Sequence, residues 1–458
     1  MKRKILVCGL DSAPAEIVFQ HRQLFPNLSR LMEGGLYGEL RSCDPPITIP
    51  AWMVMMTGQD PGKLGLYGFR HRRGYSYHEI WIATYQSIKE KTVWDYLGEA
   101  GGKSCVISVP PTYPPRPIEG HLISCFITPD AQKDYTFPPE LKEEIEGRFS
   151  TYIFDVEFRT EDKEALLEGI YRMTRKRFEI MKYLITHKPW DLFVFVEIGV
   201  DRIQHGFWKY MDRNHHLYVP GNPYESVIID YYRYLDREIG ALLDLAGQET
   251  VVLVVSDHGA KRMKGAFCIN EWLIDQGLLC VRNKPDKPTS LEKVDIDWSR
   301  TKAWAWGGYY ARVFLNVEGR EPQGIIPARD FEKEREKLIE QFLAIKGPKG
   351  EDWATKVIVP QEHFSVLNGE YPDLMVYFDD LFWRSAGTLG YSHPYLLEND
   401  TGPDDAVHAQ EGIYILYDPL NPLKGEKKAD ILDIAPTILS FLGLPIPAEM
   451  KGRPLVEY

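Results

Sequence analysis

A chain of 458 residues with 44% hydrophobic and 26% charged residues can bury a large core and has the composition of an ordinary soluble globular protein. Its formal net charge of −12 argues against a nucleic-acid polymer or an acidic membrane surface as the main partner, but a small anionic substrate is not excluded, because a bound metal can reverse the local field. The six cysteines form no Cys-x-x-Cys pair, and the N-terminal apolar run is too short for a signal peptide. No stretch approaches the roughly 18 apolar residues of a membrane span. We therefore expect a cytoplasmic protein.

Short, continuous apolar runs predict buried strands of a parallel sheet. In chain order these runs lie at residues 4–10, 103–109, 191–200, 250–256 and 411–417. Helical patterns separate the runs, at residues 25–35, 91–102, 162–187 and 226–247. The alternation predicts a doubly wound α/β fold, with a mostly parallel central sheet flanked by helices.

The domain organisation is expected to be simple, because no internal repeat or low-complexity tract is visible. We predict a single domain over residues 1–458. The stretch of about 266–400 is less regular and carries the cluster "AWAWGGYY" at 303–310, which we expect to be core. This stretch is interpreted as an insertion or cap on the sheet.

Three of the predicted strands are followed by aspartates. Asp11 follows the first run, Asp201 follows the run at 191–200, and Asp257 with His258 follows the run at 250–256. Ligands of doubly wound sheets bind beyond the carboxyl ends of the strands. We therefore expect these carboxylates to converge at one edge of the sheet.

Histidines complete two sets of potential metal ligands. His205 stands four residues after Asp201, so both share one face of a helical turn. His408 directly precedes the last predicted strand and is favoured over His393 as a further ligand. Asp11, Asp257 and His258 make the second set. Such nitrogen and oxygen ligands suit divalent ions such as zinc, and two ions about 3.5–4 Å apart can clamp both oxygens of an in-line displacement at phosphorus.

A nucleophile is available in the proline-flanked segment at residues 43–69. Thr48 is the leading candidate, with Ser42 and Thr57 as alternatives. A free hydroxyl is a weak nucleophile near neutral pH, but a divalent ion can promote its deprotonation without a separate base.

Together these residues resemble the alkaline phosphatase superfamily, in particular its type I phosphodiesterase/nucleotide pyrophosphatase branch. The resemblance covers nearly the whole chain and is carried by the order and spacing of its pieces: "GLDSA", "PPITIPAWMVMMTGQDPGKLGLYGF", "DRIQHGFW", "SDHGA", "INEWLIDQGLL", "HAQEGIYIL" and "DILDIAPTILSFLGLPIPAEMKGRPL". It implies an alkaline-phosphatase-like fold and two divalent ions, zinc first and manganese or iron as alternatives. It also implies two ligand sets, which are Asp201, His205 and His408 for one ion and Asp11, Asp257, His258 and Thr48 for the other.

The resemblance also implies a reaction through a covalent phosphothreonine at Thr48. The substrate would be a small phosphodiester or pyrophosphate, nucleotide-like or otherwise. One departure concerns an Asn that contacts a phosphate oxygen in many members of this branch, because the equivalent stretch "LGLYGFRHRR" has none. Arg70 and Arg72 are candidates for that contact, although the run at 70–73 otherwise reads as a solvated face.

Other functions remain open at this point. A phosphomonoesterase or a phosphoglycerate mutase-like enzyme uses related metals on the same core, and a non-catalytic relative is disfavoured by the intact ligand set. A sulfatase is less expected, because "ITIPAW" contains no Cys or Ser in a C/S-x-P-x-R pattern. The sequence does not specify the oligomeric state.

Overall fold

The structure is a computed structural model that describes residues 3–456. Its strands in chain order are β1 (Ile5–Leu10), β2 (Leu36–Arg41), β3 (Arg70–Arg72), β4 (Ile80–Ile82), β5 (Ser104–Ile107), β6 (Gly120–Ile123), β7 (Thr136–Phe137), β8 (Leu192–Glu197), β9 (Val251–Val255), β10 (Gly259–Arg262), β11 (Gly265–Cys268), β12 (Ala303–Trp306), β13 (Ala311–Leu315), β14 (Lys356–Ile358), β15 (Leu374–Tyr377), β16 (Trp383–Ala386), β17 (Tyr395–Leu396), β18 (Ala406–Ala409), β19 (Glu411–Tyr417), β20 (Gly425–Glu426) and β21 (Ala429–Asp430).

The α-helices in chain order are α1 (Ala15–Gln20), α2 (Pro26–Glu33), α3 (Thr48–Thr57), α4 (Pro61–Leu64), α5 (Val93–Glu99), α6 (Glu140–Phe149), α7 (Lys163–His187), α8 (Gly199–Met211), α9 (Val227–Ala246), α10 (Ile269–Asp275), α11 (Phe331–Leu343), α12 (Pro360–His363) and α13 (Ile434–Phe441). No helix among the described residues is long and apolar enough to cross a bilayer.

A large central sheet runs in the order β20-β2-β19-β9-β1-β8-β5-β6-β7, with β21 also paired to β2. The strands from β9 through β1, β8 and β5 to β6 are all parallel. The predicted α/β class with a mostly parallel, helix-flanked sheet is therefore confirmed.

The sheet is buried on both faces, which explains why its strands are continuously apolar. Within β1, Leu6 and Cys8 point into one core with α2, α7, α8 and α9, while Ile5 and Val7 point into a second core with α3, α5 and α13. This two-residue alternation places the helices in layers on opposite faces of the sheet.

The prediction of a parallel strand at 411–417 was wrong in direction. Strand β19 pairs antiparallel with β9 on one side and with β2 on the other. Strand β18, one residue before β19, pairs antiparallel with β10. A continuous apolar run indicates burial on both faces but does not specify strand direction, which depends on the connection.

The region between α10 and β17 builds a second, smaller sheet in the order β12-β13-β15-β14. It has a separate apolar core that includes Trp304, Phe314 and Phe342. Its position as an insertion in a single domain stays a prediction.

Candidate metal centre and cavity

Three neighbouring strands bring the predicted acidic residues together. Asp11 directly follows β1, Asp257 lies two residues beyond β9, and Asp201 lies in the first turn of α8, which follows β8. Because β9, β1 and β8 are adjacent and parallel, their carboxyl ends meet at one edge.

Two groups of three ligand atoms form at this edge. One contains Asp201, His205 and His408, and the other contains Asp11, Asp257 and His258. Within each group the ligand atoms lie within 4.8 Å of one another, and all six residues are buried. His393, in contrast, is exposed and belongs to neither group.

Each of the three carboxylates is held by one oxygen only. The three hydrogen bonds run from Trp52 Nε1 to Asp11 Oδ2 at 2.8 Å, from the Ser12 backbone N–H to Asp257 Oδ1 at 3.0 Å, and from Arg202 Nη1 to Asp201 Oδ2 at 2.5 Å. The other oxygens, Asp11 Oδ1, Asp201 Oδ1 and Asp257 Oδ2, are buried and accept no hydrogen bond from the described residues. Buried carboxylate oxygens without donors are costly unless a cation binds them.

Distances within the two groups fit metal coordination. Asp201 Oδ1 lies 3.1 Å from His205 Nε2, and Asp257 Oδ2 lies 3.2 Å from His258 Nε2. Two atoms each about 2.0–2.1 Å from one tetrahedral zinc ion are about 3.3 Å apart. The residues present therefore fit the two divalent ions that the resemblance implies.

Backbone carbonyls orient two of the histidines. His408 Nδ1 lies 2.8 Å from the Pro46 carbonyl, and His258 Nδ1 lies 3.0 Å from the Gly259 carbonyl. A ring that donates from Nδ1 keeps its lone pair on Nε2, which is the usual way a metal-binding histidine is fixed.

The electrostatics of the centre favour bound cations. Burial, followed by the charge of Asp201, raises the pKa of Asp11 well above its usual range, and burial and Asp11 do the same to the pKa of Asp257. Burial lowers the pKa of His258 to about 4 and, with the charge of His258, lowers the pKa of His408 well below its usual range. Burial would raise the pKa of Asp201, but His205 and Arg202 outweigh it and lower that pKa. The site thus disfavours ionisation of Asp11 and Asp257 unless cations offset them, and it keeps the imidazoles of His258 and His408 neutral and able to ligate.

Asp404 is a supporting residue that the sequence reasoning missed. Its Oδ1 accepts a hydrogen bond from His205 Nδ1 at 2.6 Å, while Arg159 and Arg384 pair with its Oδ2. Burial would lower the pKa of His205, but Asp201 and Asp404 outweigh it and raise that pKa well above its usual range. The position four residues before His408, in "DDAVH", was the available sequence signal.

Thr48 is the hydroxyl residue that the structure places at the centre. Its Oγ1 lies 3.3 Å from His258 Nε2, and the side chain is 4% exposed at the first residue of α3. Ser42 and Thr57 instead donate to the backbone carbonyls of Asp257 and Met53. Neither alternative lines the adjacent cavity.

A cavity of about 510 Å³ opens beside Thr48, Asp201 and His408. Its wall includes Trp306 and Tyr309 of the "AWAWGGYY" cluster, so the expectation of core was right for buried Trp304 but wrong for these two rings. Tyr309 stacks on His408 at 3.9 Å between ring centroids, and its hydroxyl lies 3.3 Å from His205 Nε2.

The two candidate arginines have different positions. Arg70 is exposed and lines the cavity. Arg72 does not line it, because its side chain is 1% exposed and forms a 3.0 Å ion pair with Glu321. In this structure Arg72 is not accessible to a substrate. The expectation of a solvated face at 70–73 also fails for Arg72 and for His71, which is buried and stacked on Trp81.

Comparisons with solved structures agree with this architecture. Murine ectonucleotide pyrophosphatase/phosphodiesterase 5, in an inactive variant in complex with AMP, matches with a TM-score of 0.56 and 14% identity, over 97% of this chain and 96% of that chain. The human ectonucleotide pyrophosphatase/phosphodiesterase 5 matches with a TM-score of 0.55 and 13% identity over the same shares. At these identities the likeness concerns the fold alone.

Sequence comparison adds two short matches and one long one. A stretch of 57 residues is 37% identical to a 2,3-bisphosphoglycerate-independent phosphoglycerate mutase of Ectopseudomonas mendocina (strain ymp), covering 12% of this chain and 11% of that protein. A stretch of 61 residues is 31% identical to 2,3-bisphosphoglycerate-independent phosphoglycerate mutase 1 of Methanosarcina acetivorans, covering 13% of this chain and 12% of that protein. This chain thus matches only about a tenth of the length of either relative. The family model for type I phosphodiesterase / nucleotide pyrophosphatase, in contrast, matches residues 5–404, and the chain belongs to that family of phosphohydrolases.

Proposed function

We propose that this protein hydrolyses a phosphodiester or pyrophosphate bond in a small substrate, with Thr48 as the nucleophile and two divalent ions in the two ligand groups. One observation carries the proposal. Two buried ligand groups, each with at least one carboxylate oxygen that lacks a donor, lie beside a buried threonine hydroxyl at the wall of a cavity. Zinc is the proposed metal, because both groups mix imidazole nitrogen with carboxylate oxygen.

When bound, the two ions would act as Lewis acids toward the phosphoryl oxygens and the attacking hydroxyl. The chain's own residues position the reaction. Thr48 begins α3, so the positive end of the helix dipole favours an anionic phosphoryl group there. In the first step the Oγ1–P bond of Thr48 forms, the bond from phosphorus to the leaving oxygen breaks, and the proton of the Thr48 hydroxyl ends on the leaving group. Water then attacks phosphorus and the Oγ1–P bond breaks; the hydroxyl group of the water stays on phosphorus and its other proton returns to Thr48 Oγ1.

The substrate is proposed to be a small phosphorylated molecule rather than a nucleic-acid polymer. A cavity of about 510 Å³ suits a small molecule, and a net charge of −12 disfavours a polyanion. The cysteines of the chain are free and five of the six are buried, which supports the proposed cytoplasmic location in a reducing compartment.

A phosphomonoesterase or phosphoglycerate mutase-like reaction is the second candidate. It is favoured by the two short matches to phosphoglycerate mutases. The family match over residues 5–404 weighs toward the diester or pyrophosphate reaction.

A substrate panel with metal removal tests the proposal. The protein is stripped with a chelator, confirmed metal-free by mass spectrometry, and assayed on nitrophenyl monoester, diester and phosphonate substrates before and after zinc or manganese is added. We expect no turnover without metal and restored turnover of the diester or phosphonate with it. Full activity of the metal-free protein would refute the two-metal reaction, exclusive monoester turnover would favour the second candidate, and metal binding without any turnover would indicate a non-catalytic relative.

A further inference from the structure

The cavity wall carries five arginines, and three of them are paired with carboxylates. Arg159 and Arg384 pair with Asp404, and Arg202 pairs with Asp201 and Asp155. Their charges are therefore largely neutralised within the protein.

The other two arginines, Arg312 and Arg70, have no such partner. Among residues 3–456, no acidic side chain forms an ion pair with either guanidinium, although Glu292 and Asp400 also line the cavity. Arg312 Nη1 donates to the Arg70 backbone carbonyl at 2.5 Å. Burial lowers the pKa of Arg312; Tyr310 acts in the opposite direction, and the smaller effect of the Arg70 charge adds to that of burial. Two neighbouring cations without an anion are unfavourable unless a ligand supplies the negative charge.

Local packing holds the Arg312 guanidinium in place. It lies 5.1 Å from the centre of the Trp306 ring, and a side chain at Gly68 would approach Arg312 Nη1 to 3.4 Å. Gly68 has a φ of +150°, a conformation that favours glycine, so the chain leaves room beside the guanidinium. A planar guanidinium fixed against an aromatic ring is suited to phosphate or carboxylate, which it can bind through two parallel hydrogen bonds.

Arg312 lines the same cavity as Thr48, Asp201 and His408 but belongs to neither ligand group. Tyr309 contacts His205 and His408, and Arg312 comes three residues later along the chain. Three residues of extended chain span at most about 10 Å. An anion at Arg312 and Arg70 would thus lie within reach of a small substrate whose phosphorus is at the centre.

We propose that Arg312 and Arg70 bind a second anionic group of the substrate, a terminal phosphate or carboxylate other than the scissile phosphoryl group. This inference rests on the proposed function, because it takes the reacting phosphorus to lie at the two ligand groups. It specifies the substrate class as a phosphodiester or pyrophosphate that carries a further negative charge on one of its ends.

Binding of hydrolytically inert analogues tests the inference apart from turnover. Three methylenephosphonate analogues differ only at one end, which carries a methyl ester, a carboxylate or a phosphate. Their dissociation constants are measured calorimetrically on the zinc-loaded protein, on Arg312→Gln and on Arg70→Gln. Arg73→Gln is the matched control, because Arg73 is exposed and does not line the cavity.

We expect the wild type and Arg73→Gln to bind at least one anionic analogue about 10–100-fold more tightly than the neutral one, which is the usual size of a hydrogen-bonded charge contact. Arg312→Gln should lose that preference while its affinity for the neutral analogue, which also reports correct folding, stays within about threefold. Arg70→Gln, at an exposed position, should weaken the preference without affecting the fold. The analogue that binds more tightly identifies the second anionic group as a phosphate or a carboxylate.

Equal affinity of the wild type for all three analogues would overturn the inference, as would an unchanged preference in both Arg312→Gln and Arg70→Gln. Turnover of the corresponding cleavable diesters is measured in parallel. A zinc-loaded protein that cleaves none of them contradicts the proposed function, while the ratio of dissociation constants still decides whether the second anion site exists.

Discussion

Replacing Asp257 with Asn should stabilise the metal-free protein and remove its stabilisation by metal. Asn keeps the Oδ1 acceptor for the Ser12 backbone N–H, and its amide can donate to the nearby His258 Nε2, which lies 3.2 Å from Asp257 Oδ2. The substitution therefore removes charge while it preserves shape and hydrogen bonds.

The magnitude follows from the spacing of the carboxylates. The ligand atoms of Asp11 and Asp257 lie within 4.8 Å of each other, and two unit charges at that distance repel by about 3.5 kcal/mol at an effective dielectric constant of about 20. The metal-free site relieves part of this repulsion by holding a proton, because burial and neighbouring charge raise both pKa values. We expect a net gain of about 1–3 kcal/mol in the free energy of unfolding.

The gain should depend on pH in a defined direction. A raised carboxyl pKa gives stability that is complete below the ordinary value of about 4 and is lost as pH rises through the raised value. The metal-free wild type should therefore lose stability relative to Asp257→Asn as pH rises from 4, with the largest difference at pH 8. Urea denaturation in chelator at several pH values measures this difference.

Asp236→Asn is a matched control with the opposite sign. Asp236 is also fully buried, but it accepts hydrogen bonds from the backbone N–H groups of Asn27 and Leu28 in the first turn of α2. Loss of its charge should destabilise the protein by about 1–2 kcal/mol. Added zinc gives a second measurement on the same variants. At a zinc concentration a thousandfold above the dissociation constant, the wild type should be stabilised by about 4 kcal/mol, and Asp257→Asn should be stabilised much less. A metal-free wild type that is more stable than Asp257→Asn at pH 8 would refute the electrostatic reasoning.

Three further predictions concern turnover and metal affinity. Thr48→Ser should keep measurable activity and the rate of Thr48→Ala should fall by several orders of magnitude, while both variants still bind metal. Similar rates for the two variants, or inversion at a chiral phosphorothioate diester, would indicate direct attack by water. His408→Ala should lower turnover at least about a hundredfold and His393→Ala should have little effect; the reverse ranking in a steady-state assay would exchange their roles. Asp404→Asn should weaken metal affinity about 10–100-fold in a chelator competition without removing a ligand, and unchanged affinity would show that the His205 contact does not tune the site.

The sequence predicted the metal centre more completely than its surroundings. Buried apolar runs and the aspartates that follow them are local signals, and they were sufficient to place Asp11, Asp201 and Asp257 at one sheet edge. The ligand sets themselves came from the family resemblance and from the spacing of the histidines, and their metal-binding role remains a prediction.

Features that depend on distant partners were not predictable in this way. Arg72 looked like part of a solvated run, but Glu321, 249 residues later, forms its buried ion pair. Asp404 acts through His205, 199 residues earlier. The antiparallel direction of β19 likewise depends on its connection and not on its own residues. Local patterns carry no information about which distant side chain meets which.

The ligands of the centre are spread along the chain from Asp11 to His408, and His408 enters only when β18 pairs with β10. A partly made chain that ends before His408 does not contain the complete set of ligands. If the centre binds metal as proposed, the full site would form only after β18 has paired with β10. The ion that fills it would then depend on the metals that the folded protein meets.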